Sequence, residues 1–127
     1  MSENDTILLM IFPVLLILDR LLKYFFLKNP TALVKNPGSF WFSSFTAFFL
    51  VLFIFTFKKR FSNLFFFAVM LIFLGGLSNL IDRIFLGFVI DYLKIPFFPF
   101  VFNFSDVLIT TGCVLIVYSW PRKAGFN

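Results

Sequence analysis

The chain has 127 residues, of which 61% are hydrophobic, 23% aromatic and 13% charged, and its mean hydropathy is +1.00. A soluble domain is about 45–50% apolar and about 25% charged, and a chain this short has too much surface to hide the excess inside one globule, so the composition excludes an ordinary soluble domain and points to lipid as the solvent. The net charge is +5, and with no His and one Cys the chain lacks the groups for a His-based triad, an internal disulfide or a soft-metal centre.

The N-terminus, MSENDT, is acidic where a secretory signal begins with a basic region, so the first apolar run is expected to be retained as a membrane helix. That run covers about residues 7–27, enough for a hydrocarbon core that takes about 20 residues. Its second half carries Asp19, Arg20 and Lys23. Residues 28–39, KNPTALVKNPGS, are polar and rich in turn formers. A second span is predicted over about 40–57 and ends at a basic turn, Lys58, Lys59 and Arg60. The third covers about 64–83 and becomes polar at its end, GGLSNLIDR. Residues 84–102, IFLGFVIDYLKIPFFPFVF, are apolar but hold Asp91, Lys94, Pro96 and Pro99. Two prolines disfavour a straight crossing, so this segment is expected to lie at the membrane surface or dip into it. The last span is about 103–120.

The expectation is therefore a single domain over residues 1–127, all-α, with four transmembrane helices and a short surface segment between the third and fourth. Lys58, Lys59, Arg60, Arg122 and Lys123 gather at one side of such a bundle, against Lys28, Lys35 and Lys94 at the other. The bias places both termini in the cytoplasm. Bases confined to segment ends are topology signals and not a nucleic-acid groove. The 24 Phe residues read as lipid-facing bulk, and Cys113, inside an apolar run, as packing.

A charge at membrane depth costs a few kcal/mol or more, which makes each one a functional candidate. Asp19, Asp82, Asp91 and Asp106 all fall toward the outer ends of their segments. Asp19 has Arg20 beside it and Lys23 at i+4, a helical ion-pair spacing; Asp82 has Arg83 beside it and Asn79 one turn back. Both read as neutralised by their neighbours. Asp106 has only Asn103 nearby, and Asp91 has Lys94 at i+3 but is otherwise wrapped in apolar residues. Two carboxylates close together at low dielectric share a proton. Such a pair hydrolyses an amide by general acid–base work through one water, without metal or covalent intermediate. The alternative is that all four acids are inter-helix hydrogen-bonding groups.

Five pieces in order, DRLLK (19–23), NPG (36–38), GGLSNLIDR (75–83), GFVIDY (87–92) and FNFSD (102–106), make the chain similar to the signal peptidase II family of bacterial membrane aspartyl peptidases. The resemblance implies removal of signal peptides from prolipoproteins carrying a diacylglyceryl group, with the cut just before the lipidated Cys, in the bacterial inner membrane. It implies a catalytic pair at Asp91 and Asp106, and substrate-binding or supporting roles for Asp19, Lys23, Asn36, Gly38, Gly75, Asn79, Asp82, Arg83 and Asn103. It implies a small β-structured cradle outside the membrane and no metal or organic cofactor. Partners are then the lipidated substrate and membrane lipid, with no nucleic acid and a monomeric enzyme. The chain departs from the family pattern in a short stretch between Lys23 and Asn36, in SFW after NPG, in a shorter link from Asp91 to Asp106 and in Ser105 where Ala is usual.

Two other readings compete. A small proton-coupled transporter or channel subunit also uses membrane carboxylates, but the chain lacks the paired broken segments that many transporters show. A non-enzymatic scaffold has no use for two carboxylates without local counter-ions.

Overall fold

The computed structural model describes residues 3–29, 34–36 and 62–119. Within them, helix α1 (Glu3–Lys28) is followed by strand β1 (Val34–Asn36), helix α2 (Asn63–Leu86), strands β2 (Val89–Asp91), β3 (Leu93–Lys94) and β4 (Val101–Phe102), and helix α3 (Phe104–Ser119). The span expected over 40–57 lies outside the described residues. Among the described residues one helix, α2, is long and apolar enough to cross a membrane. In α1 the run is interrupted by Asp19, Arg20 and Lys23, and α3 has 16 residues.

Local chemistry sets the helix ends. Ser62 caps α2, its Oγ accepting from the Phe65 N–H at 3.3 Å, and α2 stops at Gly87, whose φ of 79° is a left-handed conformation that glycine adopts freely. The Gly87 N–H returns to the Arg83 carbonyl at 3.1 Å. At the end of α1, Asn29 donates through Nδ2 to the Phe25 carbonyl at 2.9 Å. Helices α2 and α3 pack closely because Gly112 carries no side chain; a Cβ there would lie 2.5 Å from the Ala68 carbonyl oxygen. Phe12 of α1 joins Leu71, Leu74 and Leu108 in the buried apolar cluster. Outward-facing side chains such as Met10, Val14, Leu21, Val114 and Val117 are exposed large hydrophobics, as befits helices in lipid.

Residues 84–102, expected as a surface segment, fold into the last turn of α2 and three short strands. β1 pairs antiparallel with β2, Lys35 opposite Ile90, and β3 pairs antiparallel with β4, Lys94 opposite Val101. The mostly helical expectation with a small β-structured element is thus met by a helical fold carrying two two-stranded sheets, and the segment expected at the surface supplies three of their four strands. Strands of two or three residues leave too short a hydrophobic pattern to be read from sequence.

Candidate active site

Two linked polar clusters lie where α1, α2, β2 and α3 meet. The first is built from acids and bases of α1 and α2. The Lys23 Nζ is 2.7 Å from Asp82 Oδ2 and 3.4 Å from Asp19 Oδ2, and the Arg20 Nη2 is 2.7 Å from Asp82 Oδ1 and 3.3 Å from Asp19 Oδ2. Asp19, Lys23 and Asp82 are at most 1% exposed. Two acids facing two bases leave no net charge in the cluster, the condition under which buried ions are tolerated. Two serines complete it. Ser105 Oγ donates to Asp19 Oδ1 at 2.7 Å, and Ser78 Oγ donates to Asp19 Oδ2 while accepting from Arg20 at 2.6 Å.

The second cluster holds the remaining acids. Asn103, fully buried, precedes α3 and forms a reciprocal cap with Asp106: Asn103 Oδ1 accepts from the Asp106 N–H at 2.9 Å, and Asp106 Oδ2 accepts from the Asn103 N–H at 3.0 Å. With its oxygen so used, the Asn103 amide turns its Nδ2 toward Asp91 Oδ1 at 2.8 Å, Asn79 Oδ1 at 3.1 Å and the Ile90 carbonyl at 3.2 Å. One residue therefore touches both carboxylates.

Asn79 joins the clusters. Its Oδ1 accepts from Lys23 Nζ at 2.9 Å, and its Nδ2 donates to Asp106 Oδ1 at 3.1 Å. A cation on the oxygen side of the amide fixes which end faces Asp106. Asp82 makes a second link, its Oδ2 lying 3.4 Å from the Ile90 N–H in β2, next to Asp91. Tyr92 supplies another, its hydroxyl accepting from the Phe104 N–H at 3.2 Å and its ring stacking on Phe26 at 4.3 Å.

The sequence profile described as signal peptidase (SPase) II matches residues 11–121. The chain belongs to the signal peptidase II family. It is 40% identical over 95 residues to the lipoprotein signal peptidase of Lactococcus lactis subsp. lactis, which is 65% of this chain and 63% of that relative; the match thus spans less than two thirds of the relative's length. Two solved structures of bacterial membrane enzymes share the fold, with TM-scores of 0.74 and 0.76 at 20% and 22% identity, covering 96% and 94% of this chain and 95% of each neighbour.

Against the residues singled out from sequence, the structure brings Asp19, Lys23, Asn79, Asp82, Asp91, Asn103 and Asp106 into this one region of the signal peptidase II fold. Gly75 lies on the α2 face against the Ser105 carbonyl, where a Cβ would collide. Asn36 places its backbone in β1, opposite Val89; its side chain and Gly38 fall outside the described residues. One expectation is corrected. Asp82 is neutralised by Arg20 and Lys23 of α1, both at 2.7 Å, and not by the adjacent Arg83. The Arg83 Nε is buried with no hydrogen-bond partner among the described residues.

Arg20, Ser78 and Tyr92 were not singled out from sequence. Ser78 was legible only as a polar group inside an apolar helix, a signal that names no partner, and the adjacency of Arg20 to Asp19 did not announce its shorter contact with Asp82. A cavity of about 450 Å³ lined by Arg20, Tyr24, Leu27, Asp82, Phe85 and Ile90 opens beside the first cluster. Neither Asp91 nor Asp106 lines it.

Proposed function

We propose that this chain is a membrane aspartyl endopeptidase that removes the signal peptide from diacylglyceryl-modified prolipoproteins, cutting just before the lipidated Cys. The observation that carries the reading is the single Asn103 side chain hydrogen-bonded to Asp91 and capped against Asp106. That arrangement supports a working pair, because groups sharing a water must lie within hydrogen-bond reach of it.

Asp106 accepts N–H donors on both carboxylate oxygens, from Asn79 and from Asn103. In this reading one carboxyl of the pair is the base and the other the acid, and the cycle is written with Asp106 as base and Asp91 as acid. The base takes a proton from water, the oxygen attacks the scissile carbonyl carbon, and Asp91 protonates the carbonyl oxygen. Asp106 then passes its proton to the amide nitrogen while Asp91 recovers one from the new hydroxyl, and the C–N bond breaks. The pair returns to its starting state with one water consumed. In this reading the protein works as a monomer in the cytoplasmic membrane, with four crossings, both termini inside and the site near the outer face. Hydropathy and the distribution of Lys and Arg support that topology.

The test is a gel-shift processing assay on a diacylglyceryl prolipoprotein. Asp91→Asn and Asp106→Asn are each expected to abolish processing while the protein still accumulates in the membrane. Normal processing by either variant removes that residue from the pair.

A further inference from the structure

Residues 93–102 form a hairpin whose strands, β3 and β4, contribute two residues each. The hairpin springs from between site residues, since Asp91 lies just before it and Asn103 just after. Its tip reads IPFFPF, and the side chains of Ile95, Phe97, Phe98 and Phe100 are 52%, 108%, 49% and 63% exposed. Contiguous exposed apolar side chains of this kind mark protein or membrane interaction sites.

The backbone is arranged to present it. The Phe98 N–H returns to the Ile95 carbonyl at 3.1 Å, closing a four-residue turn with Pro96 in its second position and Phe97, at φ 69°, in its third. That is the pattern of a type II turn, whose third position favours Gly. A bulky aromatic with positive φ is strained, and here the strain projects the ring wholly away from the protein. Pro96 and Pro99 stiffen the tip, and Phe98 and Phe100 pack edge to face at 5.4 Å.

We propose that this tip is a wedge that inserts into the bilayer leaflet beside the site, with the four apolar side chains among acyl chains and Lys94 at the phosphate level. Three observations favour lipid over another occupant. The hairpin is tethered on both sides to helices, α2 ending at Leu86 and α3 beginning at Phe104, so at about 3.3 Å per residue its tip stays within reach of the membrane surface. Lys94, at the base of the tip, is exposed, and no acidic residue lies in the hairpin or its tip, which suits anionic headgroups. Phe side chains are also among those that surface-lying membrane segments bury at the boundary of headgroups and acyl chains. Buried there, the wedge fixes the depth of the strand that carries Asp91. The inference rests on the membrane reading and not on the peptidase one.

The experiment places Trp at Phe97 in the full chain, with Trp41 and Trp120 replaced by Phe, in vesicles of phosphatidylcholine and phosphatidylglycerol. A second reporter, Phe100→Trp, covers the case in which the first does not fold. The expected result is blue-shifted emission, several-fold stronger quenching by lipids brominated on the acyl chain than by aqueous iodide, and partial loss of the shift in Lys94→Gln without phosphatidylglycerol. Red emission quenched by iodide and insensitive to brominated lipid overturns the proposal. Protection from both quenchers, with dimers on cross-linking, assigns the tip to a second copy and overturns it too. So does protection that arises only on adding a diacylglyceryl peptide, which assigns the tip to substrate. None of these readings uses catalytic activity, so a failed processing assay leaves them intact.

Discussion

Asn103 and Asp106 hold each other through two hydrogen bonds, each donating its backbone N–H to the other's side chain, at 2.9 and 3.0 Å. The exchange caps α3 and at the same time points the free end of the Asn103 amide at Asp91, 2.8 Å away. A helix-capping device and a candidate catalytic pair thus share one side chain.

Asn103→Ala is expected to cost about 1 kcal/mol through the lost cap and to lower the processing rate by about 10²–10³, the scale on which a preorganised donor acts. Asn103→Asp retains a capping oxygen but sets a third carboxylate beside the pair. It is expected to melt near the wild-type temperature and yet to process no faster than the alanine variant. A melting curve and a processing time course on both proteins check this, and equal activity of Asn103→Asp and wild type refutes it.

Asp82 answers to α1. Replacing it by Asn removes a partner from both Arg20 and Lys23, and breaking a buried pair costs about 3–5 kcal/mol. Arg20→Met is expected to destabilise as well, by less because its side chain is 31% exposed. The double variant restores the balance of charge in the cluster and should lose less than the sum of the two single losses. Additive losses on thermal melting in detergent contradict the shared-cluster account.

Ser105 stands where the family pattern has Ala, and its hydroxyl donates to Asp19 at 2.7 Å. Because Asp19 keeps Ser78, Lys23 and Arg20, Ser105→Ala is expected to cost only about 0.5–1.5 kcal/mol, the net worth of one hydrogen bond. Processing should stay within a few-fold of wild type. A loss of a hundredfold would give Ser105 a role beyond holding Asp19.

Burial pushes the Tyr92 hydroxyl up to about 12. The raised value means that the folded state keeps the proton longer than the unfolded chain, whose phenol titrates near 10. The resulting stability is fully present below pH 10 and is lost as pH rises from about 10 to about 12. Tyr92→Phe removes the group and is expected to flatten that step in melting temperature against pH. It also leaves the Phe104 N–H without its acceptor, so the variant should melt lower at neutral pH. An unchanged alkaline slope would assign the step to other groups.

Much of the site was legible in short spacings. Asp19 and Lys23 at i+4 pair as predicted, because residues four apart share a helix face. Asn103 and Asp106 at i+3 meet because a helix start brings the cap residue back onto its third follower. The hydropathy of α2 and the interruption of α1 by three charges are likewise properties of contiguous residues, set by the local backbone period and by transfer from water to lipid. What the tertiary structure alone decided are the contacts across tens of residues. Asp82 took Arg20 and Lys23 instead of its neighbour Arg83, Ser78 and Ser105 closed on Asp19, and three short strands formed within residues 89–102 by pairing with each other and with β1. A charge chooses its counter-ion by distance and desolvation in the packed protein, and a two-residue strand exists only because another backbone lies beside it. Neither condition is written in the local order of the residues.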